Sequence, residues 1–335
     1  GIGALEDFLI DSCSVLSNNV RHFNADWHAG GIKIIPDAWG TVQHCEIGWN
    51  RGQGLWFDYC TTGEPIVARY NYIHDNAGVG LMIEVTKNVT AHNNLIARHS
   101  PRSVYFSSCE SNAVFNNTII DNADWVTVEM VYVPNRTNEF GAPLPLRNND
   151  FRNNIVSGSK GICDLAVMAP DSVFNTNNTV YHNCYYATND AWRARMILNP
   201  VGAPGTAYTN LAEWRAATGL DLHSLSDDPR FLDAANGDFH LRSEAGTWSN
   251  GTWHACADTS PAIDAGDPAF ASTNETAFNG RVINLGRYGN TPEASRSPDL
   301  DGDGLSDPLE TRVTASDPAN PDTDGDRKST RLNSS

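Results

Sequence analysis

One triplet recurs along the first half of the chain at a nearly fixed spacing. Asn-x-Ile/Val stands at Asn71-Tyr-Ile73, Asn94-Leu-Ile96, Asn117-Thr-Ile119, Asn154-Ile-Val156 and Asn178-Thr-Val180, in steps of 23, 23, 37 and 24 residues. Cys45-Glu-Ile47 lies 26 residues before the first copy and extends the column. Asn50, Asn76, Asn122 and Asn183 form a second column five residues further on. A unit of 22 to 26 residues is too short to enclose a core and must stack on its neighbours. At a strand spacing of ~4.8 Å, stacking sets equivalent residues above one another, where asparagine side chains can bond in a ladder. The expected fold is therefore all-β: a right-handed parallel β-helix, a single-stranded solenoid of ~22–26 residues per coil. The 37-residue step marks a coil with an inserted loop.

Between the asparagine columns runs a second repeated strand. Its copies are Gly31-Ile-Lys-Ile-Ile35, Gly54-Leu-Trp-Phe-Asp58, Gly80-Leu-Met-Ile-Glu84, Ser103-Val-Tyr-Phe-Ser107 and Trp125-Val-Thr-Val-Glu129. Strand side chains alternate between faces, and the second and fourth positions are always apolar, so these fill the interior. The third and fifth positions then point outward: Lys33/Ile35, Trp56/Asp58, Met82/Glu84, Tyr105/Ser107 and Thr127/Glu129. Outward Trp56 and Tyr105 suit the apolar faces of sugar rings on an exposed groove; if loops cover them, they are packing residues.

Asp58 and Glu84 share one strand position on successive coils, so their backbones should lie ~4.8 Å apart. Two carboxyls that close push one pKa upward and leave an acid beside a carboxylate. Retaining glycosidases hold their nucleophile and acid/base ~5–5.5 Å apart. A solvated acidic face or a calcium pair would use the same two residues. A lyase reading draws instead on Lys33, Lys87, Arg69 and Arg102 as base or charge-neutralising groups, with Asp58, Glu84 and Glu129 as calcium ligands. Lys33, Trp56, Tyr105 and Glu129 are candidate substrate contacts, joined by His28 from a loop.

The motifs GLWFD (Gly54–Asp58) and LMIEV (Leu81–Val85), with the turn His92-Asn-Asn94, resemble the β-helix retaining β-xylosidases of glycoside hydrolase family 120. That resemblance covers about Gly31 to Asn122 and implies Asp58 as nucleophile and Glu84 as acid/base. It departs after Glu84, where Val85-Thr-Lys-Asn88 replaces the family's His-Gly-Pro. From another functional class, a non-catalytic surface or adhesion β-helix would share the fold.

The coils are expected over residues 1–187, followed by a closing segment over 188–298 with helix-favouring stretches at Asp190–Arg195 and Leu211–Ala217. Over 299–326 the sequence changes character. Asp299, Asp301, Asp303, Asp307 and Glu310 place oxygen ligands at mostly alternate positions around Gly304, and Asp322, Asp324 and Asp326 begin a second copy. This is the spacing of a calcium loop. The pair resembles thrombospondin type 3 repeats, which implies Ca²⁺ as cofactor and a secreted or surface-attached chain. Residues 327–335 resemble translated sequencing-adapter DNA and are set aside, and with no Met at Gly1 any targeting segment is expected to be missing from the sequence rather than absent by nature.

Composition limits the partners. With 23 basic against 40 acidic residues the formal charge is −17, which repels phosphate backbones and argues against nucleic acid. No apolar run reaches the ~18 residues of a membrane helix. The seven cysteines form no metal spacing and read as buried filler. A monomer acting on a carbohydrate is the expectation.

Overall fold

A computed structural model describes the chain except residues 1, 5, 123, 135, 139–140, 161–162, 169–174, 188–193, 198–204 and 322–335, and except the side chains of 2–4 and 195–197. The chain divides into two compact units, Gly1–Ser226 and Asp227–Ser335.

The first unit is a parallel solenoid of three sheets. A representative coil passes through Leu81–Glu84, Val89–His92 and Leu95–Ala97, one strand in each sheet. Each strand pairs in parallel with its counterparts one coil before and one coil after. The interior is stacked aliphatic side chains. Ile47, Ile73, Ile96, Ile119 and Val156 sit in direct register and are all at most 1% exposed. Ile32/Ile34, Leu55/Phe57, Leu81/Ile83 and Val104/Phe106 fill the opposite wall, as the alternation requires.

Asparagine ladders stitch the three corners. Asn71 Nδ2 donates to Asn94 Oδ1 (3.0 Å), Asn94 to Asn117 (2.9 Å), Asn117 to Asn154 (3.0 Å) and Asn154 to Asn183 (3.2 Å). Asn183, not Asn178, is therefore the fifth member. The last coil advances 29 residues, so a 24-residue step lands on a different corner. Asn178 ends a separate ladder, Asn112–Asn149–Asn178, with links of 2.8 and 2.9 Å. A third ladder joins Asn18, Asn50 and Asn76 (2.8 Å each), and His99 continues it by bonding Ile73 O at 3.1 Å. Preceding the main-ladder residues, Asn93, Asn116 and Asn153 adopt φ of 54°, 49° and 54°, the left-handed bend that asparagine tolerates better than most side chains. The stacked strands leave no room beside the third ladder. A Cβ on Gly80 would fall 2.5 Å from the His99 ring and 2.8 Å from Ser103 O.

Two expectations about the closing segment change. Ala194 and Arg195 lie in the strand Ala194–Ile197, which pairs in parallel with Cys163–Met168, so the sheet overrides their helix propensity. The rest of that stretch, 190–193, lies outside the described residues. The coiled unit also runs beyond 187. Leu222 and Leu225 bridge to Tyr181 and Cys184, and the helix Leu211–Thr218 sinks Leu211 and Trp214 into the coil core. Asn210 caps that helix by accepting from Ala212 N and Glu213 N, and Gly219 ends it in the left-handed conformation.

In the second unit, antiparallel hairpins Phe231–Asp233/Asp238–Leu241 and Thr247–Ser249/Thr252–His254 precede a turn-rich segment. Two buried carboxyls organise that segment. Asp264 accepts from Ser297 (2.8 Å) and Ser306 (2.6 Å), and Glu275 Oε1 accepts from the backbone N–H of Asn284 (2.9 Å) and Asn290 (2.8 Å). Burial drives their pKa values up, to about 6 and about 8. No described helix is long and apolar enough to cross a membrane.

Candidate functional site

The outer face of the sheet containing Gln53–Asp58 and Leu81–Glu84 carries the candidate residues. Register pairs Lys33 with Trp56, Trp56 with Met82, Met82 with Tyr105 and Glu84 with Asp58. Asp58 and Glu84 are thus direct neighbours on adjacent strands. Glu129 is not in their column: it pairs with Tyr105, and Val131 takes the place opposite Ser107. The strand Val126–Val131 is shifted by two residues from the expected alignment. A two-residue shift keeps the same face, so the apolar pattern alone cannot detect it.

The face is not open to solvent as the alternation suggested. Trp56 is 4% exposed, Asp58 6% and Glu84 8%, and Tyr105 packs half-buried against Trp56, Val79 and Met82. Each buried carboxylate has a cation. Lys33 Nζ lies 2.9 Å from Asp58 Oδ2, 3.3 Å from the centre of the Trp56 ring, and 2.7 Å from Trp27 O, to which it donates. Arg136 Nη1 lies 2.5 Å from Glu84 Oε1 and donates to Ser107 Oγ at 2.9 Å. Arg102 pairs with Glu129 and stacks 4.7 Å over Tyr105. Burial pushes the Glu84 carboxyl above the usual range; Arg136 opposes this and Asp58 reinforces it. Burial likewise raises Glu129, against Arg102. Asp58 Oδ1 and Trp56 Nε1 are buried without a hydrogen-bond partner among the described residues.

Two adjoining cavities follow this face. One, of about 310 Å³, holds Lys33, Trp56, Asp58, Glu84 and Arg136, with His28 and Trp27 on its wall. The other, of about 680 Å³, is lined by Arg51, Gln53, Val79, Arg102, Tyr105 and the segment around His22 and Phe23. Asp26 lines both. Among the contributors that escaped the sequence reading are Arg136, Tyr59, Asp26, Arg51 and the exposed rim of Phe23 and Trp27. Arg136 lies in the loop responsible for the 37-residue step, so the interrupted period was the available signal. Lys87 and Arg69 lie elsewhere, the first paired with Glu110 (3.2 Å) and the second bonded to Gln43 on another sheet (2.8 Å).

A family model described as the right handed beta helix region matches residues 6–183. The chain belongs to this β-helix family. A second model, described as disaggregatase related, matches residues 206–266 of the β-helix chain. No curated protein and no solved structure matches it.

The acidic loop of this β-helix protein lies in its second unit. Carboxylate oxygens of Asp299, Asp301 and Asp303 fall within 4.8 Å of one another. Asx turns shape the loop: Asp299 accepts from Gly302 N (2.9 Å), Asp301 from Asp303 N (3.1 Å) and Asp303 from Leu305 N (2.8 Å). Asp307 accepts from Leu300 N at 2.8 Å. Glu310 is 1% exposed; its Oε2 and Asp301 Oδ2 are buried without a hydrogen-bond partner among the described residues. Burial first, and neighbouring aspartates second, raise both Glu310 and Asp307. Convergent carboxylates with orphaned oxygens fit a hard cation. Asp322, Asp324 and Asp326 lie outside the described residues.

Proposed function

We propose that the cleft over Trp56 is the active site of a carbohydrate-degrading enzyme, a retaining glycoside hydrolase with Asp58 as nucleophile and Glu84 as acid/base. The direct register of these two carboxyls on adjacent strands, inside a cleft and away from bulk water, carries the reading. Lys33 Nζ lies 2.9 Å from Asp58 Oδ2, and burial favours the protonated form of Glu84, the form an acid catalyst needs. In the first step the Glu84 proton passes to the leaving glycosidic oxygen as Asp58 bonds to the anomeric carbon. In the second, carboxylate Glu84 takes a proton from water, which displaces Asp58 with a second inversion. Trp56 forms the apolar floor. The disaggregatase-related match supports a polysaccharide-related role.

Lys33 is a poor base for elimination. Its Nζ is engaged by Asp58, by the face of Trp56 and by Trp27 O, so it is not free to reach a substrate proton. We further propose that Asp299, Asp301, Asp303, Asp307 and Glu310 hold Ca²⁺. Such a loop would suit the millimolar calcium found outside cells, so a secreted or surface-attached chain is part of this proposal.

The test is product analysis on a panel of aryl glycosides and plant and algal polysaccharides. Expected are new reducing ends with retained anomeric configuration, and a loss of about 10³-fold or more in Asp58→Asn and Glu84→Gln. Absorbance of an unsaturated uronate would establish elimination and retire Asp58 as nucleophile. Undiminished turnover in Asp58→Asn would refute the assignment outright.

A further inference from the structure

The larger cavity makes no use of the Asp58–Glu84 pair, yet its chemistry is distinctive. Its titratable lining is His22, Asp26, Arg51, Arg102 and Tyr105, so two guanidiniums face one carboxylate in a chain of formal charge −17. Arg51 has no carboxylate partner among the described residues; of its guanidinium nitrogens, Nη1 contacts His22 Nε2 and the other two are unbonded there. Arg102 lines the cavity and donates to Glu129 through Nε, and its η nitrogens have no hydrogen-bond partner among the described residues. Its guanidinium is fixed by stacking 4.7 Å over Tyr105. A planar, immobilised fork beside an aromatic ring matches a carboxylate carried on a sugar ring better than a neutral hydroxyl. Val79 and Phe23 add apolar wall, and Gly52 and Gly78 keep the floor low. A Cβ on Gly78 would strike Gln53 Oε1 at 2.4 Å and Gly52 C at 2.7 Å.

From this arrangement we infer that the cavity of Arg51, Arg102 and Tyr105 is a subsite for an acidic sugar residue, seated beside the reacting unit of the same chain. The inference rests on reading the cleft as a carbohydrate site and adds the substrate's charge. Asp26, shared by both cavities, then lies where neighbouring sugar units join. The shared chemistry is an anionic pyranose, whose acid is a carboxylate or a sulfate ester.

Equilibrium binding tests this without turnover. The full chain is titrated calorimetrically with trisaccharides of galacturonic and glucuronic acid, with their methyl esters of nearly equal size and no charge, and with a sulfated trisaccharide. An acidic probe should bind about tenfold or more tighter than its neutral counterpart, and the preference should shrink at high salt. Arg51→Gln, at an exposed position, should bring the ratio to about threefold or less. Arg102→Lys, which keeps a counter-charge for Glu129 but loses the fork, should weaken the preference with circular dichroism unchanged. Preference for the carboxylated or for the sulfated probe supports the subsite and says which acid it takes. Equal binding of acids and neutral counterparts, a preference that survives Arg51→Gln, or no binding of any probe overturns it. Acid-selective binding without hydrolysis leaves the subsite standing and removes the hydrolase; hydrolysis of neutral glycosides without acid preference does the reverse.

Discussion

Replacing Arg136 by methionine should raise the pKa of Glu84. The guanidinium lies 2.5 Å from Glu84 Oε1, with side-chain exposures of 28% and 11%. Charge centres ~4 Å apart at an effective dielectric of ~20 interact by about 4 kcal/mol. Partial exposure of the arginine roughly halves this, to about 2 kcal/mol. Burial already holds Glu84 high, so its removal from Arg136 adds to an upward displacement. A carboxyl whose folded pKa exceeds its unfolded one stabilises the fold below the unfolded value, and that contribution is lost as pH rises through the folded value. Arg136→Met should therefore match the parent's stability in mild acid and fall behind it by up to about 2 kcal/mol near neutrality. Carbon-13 NMR of labelled glutamate, with Glu84→Gln identifying the resonance, reads the titration directly, and urea unfolding at two pH values reads the stability. A Glu84 titration unmoved or moved downward would refute the claim that Arg136 opposes burial at this carboxyl. Any activity should follow, its basic limb moving up with the acid.

Asn94→Ala should cost about 3–5 kcal/mol in urea unfolding, because Asn71 N, Asn71 Nδ2, Ala68 O and Asn117 Oδ1 each lose a buried partner; a loss below about 1 kcal/mol would mean that water replaces the ladder. Stability of the second unit should decline as pH rises from about 6 to about 8, the values to which burial raises Asp264 and Glu275, and Glu275→Gln should flatten the upper part of that decline in a melting-temperature series. Calcium at about 100 times its dissociation constant should stabilise the second unit by about 2.7 kcal/mol, reversed by chelator and absent in Asp301→Asn/Asp303→Asn; indifference to both calcium and chelator would exclude the loop as a cation site.

The coil was readable because a ladder asparagine is chosen by its own stack: Asn71, Asn94 and Asn117 recur at one step, and nothing else in the chain competes for that signal. Register within the face was less readable. Glu129 and Thr127 share a side of the strand, so only backbone pairing decides which of them meets Tyr105. The same limit misplaced Asn178, since corners of one coil are chemically alike. Burial of Trp56 was invisible to a period-two pattern, which distinguishes inside from outside the coil but not covered from bare exterior. The cover comes from the Asn19–His28 and Arg136 segments, which have no repeat to betray them. Asp58 and Glu84 were legible as neighbours, and Lys33 as a member of the same outer face; Arg136 was not, because an ion pair from a loop leaves no spacing in the sequence.

The main asparagine ladder has a consequence for how such a chain can change length. Every side-chain amide in it donates toward the later coil, so the dipoles add head to tail. The run ends where Asn183 N donates to Ser224 Oγ (2.8 Å) and Ser224 Oγ to Asp221 Oδ1 (2.7 Å), a buried carboxyl at the end toward which the donors point. Each link presents to the next the same acceptor that it met in the previous one. A whole coil can therefore be duplicated or deleted anywhere between Asn71 and Asn154 without altering either end of the wire. A part of a coil cannot, unless it bulges outward as the Arg136 loop does. Growth by whole turns against a fixed carboxyl-capped end would lengthen the groove while leaving the Asp58–Glu84 pair where it is.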